Sequence, residues 1–459
     1  MPIQWNKITS IEKIKQPLTV YNLSVDKYEN YFANNILVHN CSMACNFCFS
    51  YYFRANNPTL VSDNARKLKP VNYDRFEKLL TGKLPDEPAW KHFFSKRYVL
   101  QWGSMADPFC FFEKKNKIGE RLIKLFGDIN YPVKLCFKGP AIEDYWDLFE
   151  KYKHQHNFAF QSSIINTDDK LAESIEMGAP SPTKRFEYLK RLSDMGYYTI
   201  IRLRPFTMGM SDLTLDDFLE KVKKYNINAI SMEFFCLDIR TNENIRKRYD
   251  WMSKILGYDI MAYYKALSPT SRGGYRRLSR DVKERYVRKI YKFCYDNNVL
   301  FACSDPDYKE LNMSGSCCGL PNEYKPNPEI TNYCKCQLTN AIRLMRKDYW
   351  NGKPRLLHLY DVYGLDNKFG SYYDDLQFFS QDVVEKIALS SGEACTYTMR
   401  VAMRLHWNNL RSPKCPVNYF DGKIKPVSKD EFGDLVFEYC EHPYERMWKE
   451  KYNIDLGKF

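Results

Sequence analysis

From residue 97 onward, short apolar runs alternate with amphipathic stretches, the signature of strands and helices in turn. The runs at 97–103, 132–138, 157–163, 198–204 and 229–234 read as strands. The stretches at 117–127, 141–152, 183–194 and 214–224 read as helices between them. Such a succession predicts an α/β fold with parallel strands and helices outside, its functional groups gathering at the strands' C-terminal ends. Helical periodicity returns at 381–390 and 397–407, in a tail rich in Tyr, Trp, Arg and Lys that fits a capping or substrate domain.

At 459 residues the chain exceeds what one core usually fills, so two or three folding units are expected. Hydrophobic residues make up 44% and aromatics 16%, without low-complexity tracts, which excludes an extended disordered chain. No run approaches the roughly 20 apolar residues of a membrane span, and the first residues lack a signal peptide's apolar core. The expected compartment is the cytoplasm. There, 15 cysteines read as metal ligands or buried thiols rather than disulfides. The net charge of +13 favours a nucleic acid or nucleotide partner, but the basic residues are spread rather than blocked, so a solvated basic surface is the alternative.

Cysteine spacing narrows the chemistry. Cys41-Ser-Met-Ala-Cys45-Asn-Phe-Cys48 is a CxxxCxxC loop. Three thiolates on one tight loop hold three irons of a cubane and leave the fourth open. A structural zinc would need a fourth ligand, and no Cys or His follows Cys48 before His92. The loop resembles that of radical S-adenosylmethionine (SAM) enzymes. The resemblance implies a [4Fe-4S] cluster on Cys41, Cys45 and Cys48, with SAM on the open iron and reductive cleavage to a 5′-deoxyadenosyl radical. It also implies a reductant such as flavodoxin or ferredoxin, and Phe47 lying against the adenine.

Three further pieces are similar to the radical SAM family related to spore photoproduct lyase: Gly103-Ser-Met-Ala-Asp-Pro-Phe109, Cys136-Phe-Lys-Gly139, and Gly178-Ala-Pro-Ser-Pro-Thr-Lys-Arg185. The match runs from Cys41 to about residue 212. It implies a partial (β/α)6 TIM-like barrel in which Ser104 and Asp107 lie near the methionyl amino group, Lys138 near the SAM carboxylate, and Ser162 or Ser163 near the ribose. Ser104 stands where spore photoproduct lyase carries a hydrogen-donating cysteine, so thymine-dimer repair by that route is not expected. Arg202 and Arg204 alternate with Ile201 and Leu203, which points both into the barrel, toward SAM or a substrate phosphate, or into a salt-bridged core pair. A six-stranded barrel lacks its first strand here, which a joined N-terminal flank would supply.

Residues 1–40 differ in kind. The segment from Val20 to Cys41 resembles the all-β C-terminal end of an intein, in which Asn40 would cyclise on its own carbonyl, His39 would polarise that bond and Cys41 would accept the N-terminal flank. An ordinary strand and turn before a metal-binding cysteine is the alternative. Asn22 and Glu29 depart from the Asp and His that inteins often carry there. The length fits the smaller half of a split intein, with the other intein half on a separate partner chain, or else a start placed inside a contiguous intein gene.

Cys303, Cys317, Cys318, Cys334 and Cys336 form a second, loop-rich group, read as a second [4Fe-4S] cluster or a zinc site. The expected organisation is 1–40 intein fragment, 41–300 radical SAM core, 301–343 Cys-rich segment and 344–459 capping or substrate domain. The expected function is a radical SAM enzyme acting on a nucleic acid or nucleotide. A protein- or peptide-modifying radical SAM enzyme and a metal-stabilised binding module stay open.

Overall fold

The computed structural model describes residues 72–359 and 406–459, interrupted at 88–89, 91–93, 104–106, 112, 240–242, 269–270, 273, 329, 331–336 and 413–414. N-terminal to these it describes Phe32–Ala33, Ile36–Leu37, Cys45, Phe47 and Cys48. The expected functional residues His39, Asn40, Cys41, Ser104, Cys334 and Cys336, and the expected helix at 381–390, lie outside the described residues. The chain divides into two units, Met1–Asn40 and Cys41–Phe459. In the first, Phe32–Ala33 and Ile36–Leu37 pair antiparallel as a short hairpin.

The second unit is built on a parallel sheet of six strands: β1 (Leu100–Trp102), β2 (Val133–Phe137), β3 (Phe158–Ser163), β4 (Tyr198–Phe206), β5 (Ala229–Phe234) and β6 (Leu300–Cys303). Their order in space follows their order in sequence. Successive right-handed crossovers in one direction put every connecting helix on the same face. That face carries Val133, Leu135, Phe137, Phe158, Phe160, Ile201, Leu203, Ile230 and Met232, and they share the main core with residues of the connecting helices, among them Phe126, Leu189 and Phe218. The opposite face is left for loops and polar groups.

Helix α1 (Tyr73–Leu80) precedes the sheet, and the longer connecting helices are α2 (Ile118–Asp128), α3 (Trp146–Tyr152), α4 (Asp169–Ile175), α5 (Pro182–Asp194), α6 (Leu215–Lys224), α7 (Glu243–Leu256), α8 (Ile260–Leu267) and α9 (Arg280–Asn297). Two of the starts are set by local chemistry. The Asp168 side chain accepts from the amides of Lys170 and Leu171 to cap α4, and Ser181 accepts from the Lys184 amide while Pro182 opens α5. The structure corrects three expected details. The first strand begins at Leu100 rather than 97, because Arg97 takes a left-handed φ of 54° and ends a turn. The stretch from 141 splits into a 3-10 turn, Pro140–Tyr145, and α3. A sixth strand, β6, pairs with β5 at the edge away from β1, so it is not the absent first strand.

Beyond β6, the residues Leu320, Tyr324 and Ile330 pack on Ala159, Ile200 and Ala229, covering part of the face opposite the helices. Then come α10 (Gln337–Trp350) and an antiparallel sheet of β7 (Leu356–Leu357), β8 (Ile424–Lys429) and β9 (Leu435–Tyr439). The last helix, α11 (Pro443–Tyr452), belongs to the main core through Trp448, whose indole donates to Glu284 at 2.5 Å. No described helix is long and apolar enough to cross a membrane.

Candidate active site at the carboxyl rim of the sheet

Where β2 ends, the chain places Lys138 beside the cysteine loop. Its ammonium lies 3.2 Å from the Cys45 sulfur and 2.5 Å from Glu176 Oε1. The other Glu176 oxygen accepts from Arg185 at 2.6 Å, and Arg185 also donates to the Ser163 carbonyl at 2.5 Å. Cys45 and Glu176 meet through their backbones too, as an isolated antiparallel bridge, and Arg248 of α7 donates to the Cys45 carbonyl at 3.3 Å. Cys48 lies one turn away, its amide donating to the Cys45 carbonyl at 3.2 Å.

The electrostatics follow from this burial. Burial works against the Glu176 charge, but Arg185 and Lys138 overcome it and hold the carboxyl down at about 2. Burial likewise opposes the Lys138 ammonium, and Cys45 and Glu176 more than offset it, so its pKa stands above the usual lysine range. The Cys45 thiol is pushed up to about 11 by burial, against the pull of Lys138. Glu176 and Arg185 complete the site and were not among the expected site residues. The usable signal was that a lysine buried at a strand end needs a buried carboxylate.

Asp107 fastens two loops together. Its carboxylate accepts from the amides of Phe109 at 2.8 Å, Lys138 at 2.5 Å and Gly139 at 3.0 Å. Gly103 explains its own place in the motif: its φ is +98°, and a Cβ there would lie 2.0 Å from the Cys136 carbonyl oxygen. Phe47 is buried, with the Lys138 ammonium 5.0 Å from its ring centre. Ser162 is buried opposite Phe137 and Ile201, and its hydroxyl has no partner among the described residues. Ser163 is half-buried and is the register partner of Arg202.

Arg202 and Arg204 share a polar zone with Lys134, Cys136, Gln161, Ser231 and Glu233. Arg204 pairs with Glu233 at 3.3 Å, and burial, then Arg204, lower the pKa of Arg202. Gln161 Oε1 lies 3.2 Å from the Cys136 sulfur and 3.5 Å from the Lys134 ammonium, while its amide donates to the Cys318 carbonyl at 3.1 Å. The second cysteine group is partly brought together here. Cys317 and Cys318 lie with sulfurs 3.9 Å apart, and Ser231 and Ser304 donate to the Cys317 carbonyl. Cys303 is instead in the apolar core, its register partner Met232. Among the described residues no three His, Cys, Asp or Glu side chains gather as a metal set.

Fold and rim together define an α/β protein with a parallel six-stranded sheet and a thiol site at its carboxyl edge. The sequence matches no protein-family profile and no curated protein. Among solved structures, a spore photoproduct lyase mutant with bound SAM and dinucleoside spore photoproduct is similar at 11% identity and a TM-score of 0.39, over 57% of this chain and 72% of that one. A second spore photoproduct lyase mutant gives 10% identity and 0.41, over 57% and 73%. Streptococcus suis SuiB bound to SAM gives 11% identity and 0.35, over 58% of this chain and 48% of its own. Likeness this distant carries no function across.

Proposed function

We propose that the chain is a radical SAM enzyme whose Cys41, Cys45 and Cys48 hold a [4Fe-4S] cluster. The observation that carries the reading is the CxxxCxxC spacing, with Cys45 and Cys48 on one turn and a buried ammonium 3.2 Å from the Cys45 sulfur. Thiols on one turn beside a fixed cation are the donor chemistry such a cluster takes. When bound, the cluster supplies one electron to the sulfonium of SAM, which parts into methionine and a 5′-deoxyadenosyl radical. This chain's residues do the rest: Asp107 holds the rim loops together, Glu176 and Arg185 fix Lys138, and Arg202 stands beside the Arg204–Glu233 pair. The substrate class proposed is a nucleic acid or nucleotide, supported by the net charge of +13. Cys317 and Cys318 remain proposed ligands of a second cluster or zinc.

Residues 1–40 are proposed as an intein fragment, with Asn40, His39 and Cys41 performing splicing. A Cys41 thiol bound to iron would be quenched as an acyl acceptor, so the unspliced chain is proposed as an inactive or weakly active precursor. The test is anaerobic reconstitution with iron and sulfide, reduction, and assay of 5′-deoxyadenosine from SAM. Cys45→Ala and Cys48→Ala should abolish it, and full product from either defeats the cluster assignment. With the partner intein half present, Asn40→Ala should block release of the 1–40 piece, and normal release would refute the splicing role.

A further inference from the structure

Counting charges at the rim gives an odd result. Glu176 is a single carboxylate shared by two cations, Lys138 and Arg185, and all three are buried or nearly so. These three side chains alone hold two cations and one carboxylate, and the Asp107 carboxylate lies at the same rim, bonded to the Lys138 amide. Arg185 cannot shed its proton, and the Lys138 ammonium is fixed by Glu176 at 2.5 Å. An excess cation in a low-dielectric place needs an anion. Among the described residues, the further contact of the Lys138 ammonium on an anion-forming group is the Cys45 sulfur at 3.2 Å.

Resting on the reading of Cys45 as a cluster ligand, we propose that Lys138 is a positioning residue that donates a hydrogen bond to the ligand sulfur of Cys45, fixed there by Glu176 and Arg185, and thereby raises the cluster's reduction potential. An iron–sulfur cluster on thiolates is negatively charged and becomes more so on reduction, so a fixed cation at a ligand sulfur favours the reduced state. Glu176 opposes this in part. Because its backbone also bridges to Cys45, carboxylate, cation and sulfur keep one register.

The experiment compares reconstituted wild-type protein with Lys138→Met, Lys138→Arg and Glu176→Gln, reading iron content, melting temperature and the midpoint potential of the SAM-free cluster by dye-mediated titration. Lys138→Met leaves the Glu176–Arg185 pair closed, so the variant should fold and take up iron. Its potential should fall below that of the wild type. Lys138→Arg, which keeps a cation, should return it toward the wild-type value, and Glu176→Gln should raise it. If Lys138 instead grips the SAM carboxylate, Lys138→Met will weaken SAM binding and leave the SAM-free potential unchanged, which overturns the proposal. A wild-type protein that takes up no iron overturns the enzyme reading and this inference together.

Discussion

Two buried lysines are handled in opposite ways. At the rim, Lys138 and Arg185 share one carboxylate, Glu176. Near the C-terminus, Lys423 stands among two carboxylates, bonding Glu310 closely and lying 3.9 Å from Glu445. There two carboxylates share one ammonium. Burial pushes the Glu445 carboxyl up, against Lys423, while the Tyr439 hydroxyl donates to it at 2.5 Å and the His442 amide at 2.6 Å. Tyr444 closes the remaining space by bonding both Lys423 and Glu310. The C-terminal group is thus complete in itself and works as a lock. At the rim two cations share one carboxylate, the Lys138 side chain keeps 13% of its exposure, and the group ends on a thiol in a loop. The comparison teaches that ion groups separate by whether cations or carboxylates are in the majority and by whether the lysine is sealed off from solvent.

The sharpest way to break this comparison is to remove each carboxylate. Glu176→Ala strands two buried cations and should cost about 3–5 kcal/mol, the usual penalty for an unpaired buried charge. Urea unfolding of the chain measures it. Glu445→Gln keeps a polar group of the same size at a carboxyl whose charge burial already opposes, so its cost should stay near about 1 kcal/mol. Were the ranking reversed, the charge count at the two sites would be wrong.

The fold was largely legible because helix and strand periods differ so plainly. The strand at 229–234 and the helices at α2, α5 and α6 fall within about a residue of expectation, since capping residues such as Ser181 and Pro182 mark their starts. The strand β6 was missed because a four-residue apolar run directly after an 18-residue helix has no period of its own. That same strand separates Cys303 from Cys317 and Cys318. Closeness in sequence made them one group, but the side-chain alternation of a strand sends Cys303 into the apolar core. Lys138 was legible from its motif, whereas Glu176 was not. In Ala-Glu-Ser-Ile-Glu-Met it reads as one more solvated acid at a helix end, and only tertiary contact reveals two cations upon it.

The smallest expected effect concerns acid. His442 caps α11, its ring Nδ1 accepting from the Tyr444 amide at 3.4 Å while Glu445 bonds back to the His442 amide. A neutral ring is needed for that acceptance. Burial, then Arg280 and Lys423, lower its pKa from 6.5 to about 4, with Glu310 and Asp281 only partly opposing. A histidine with a depressed folded pKa gives stability that is fully present above 6.5 and is lost progressively as pH falls toward about 4. Glu445 works in the other sense, since its raised pKa favours protonation in the fold, so the histidine's part is isolated by the variant rather than by the wild type alone. Glu176, held at about 2, gives stability that is present above 4.5 and is lost only as pH falls below that toward about 2, so the rim should change little above about 5. Hydrogen exchange across α11 and across α4–α5, followed from neutral pH down to about 5, is the measurement. Protection of α11 should decline while that of α4–α5 holds, and His442→Asn, which can still cap but cannot take up a proton there, should flatten the α11 profile. If wild type and His442→Asn lose α11 protection together, the cap is not what the acid reaches.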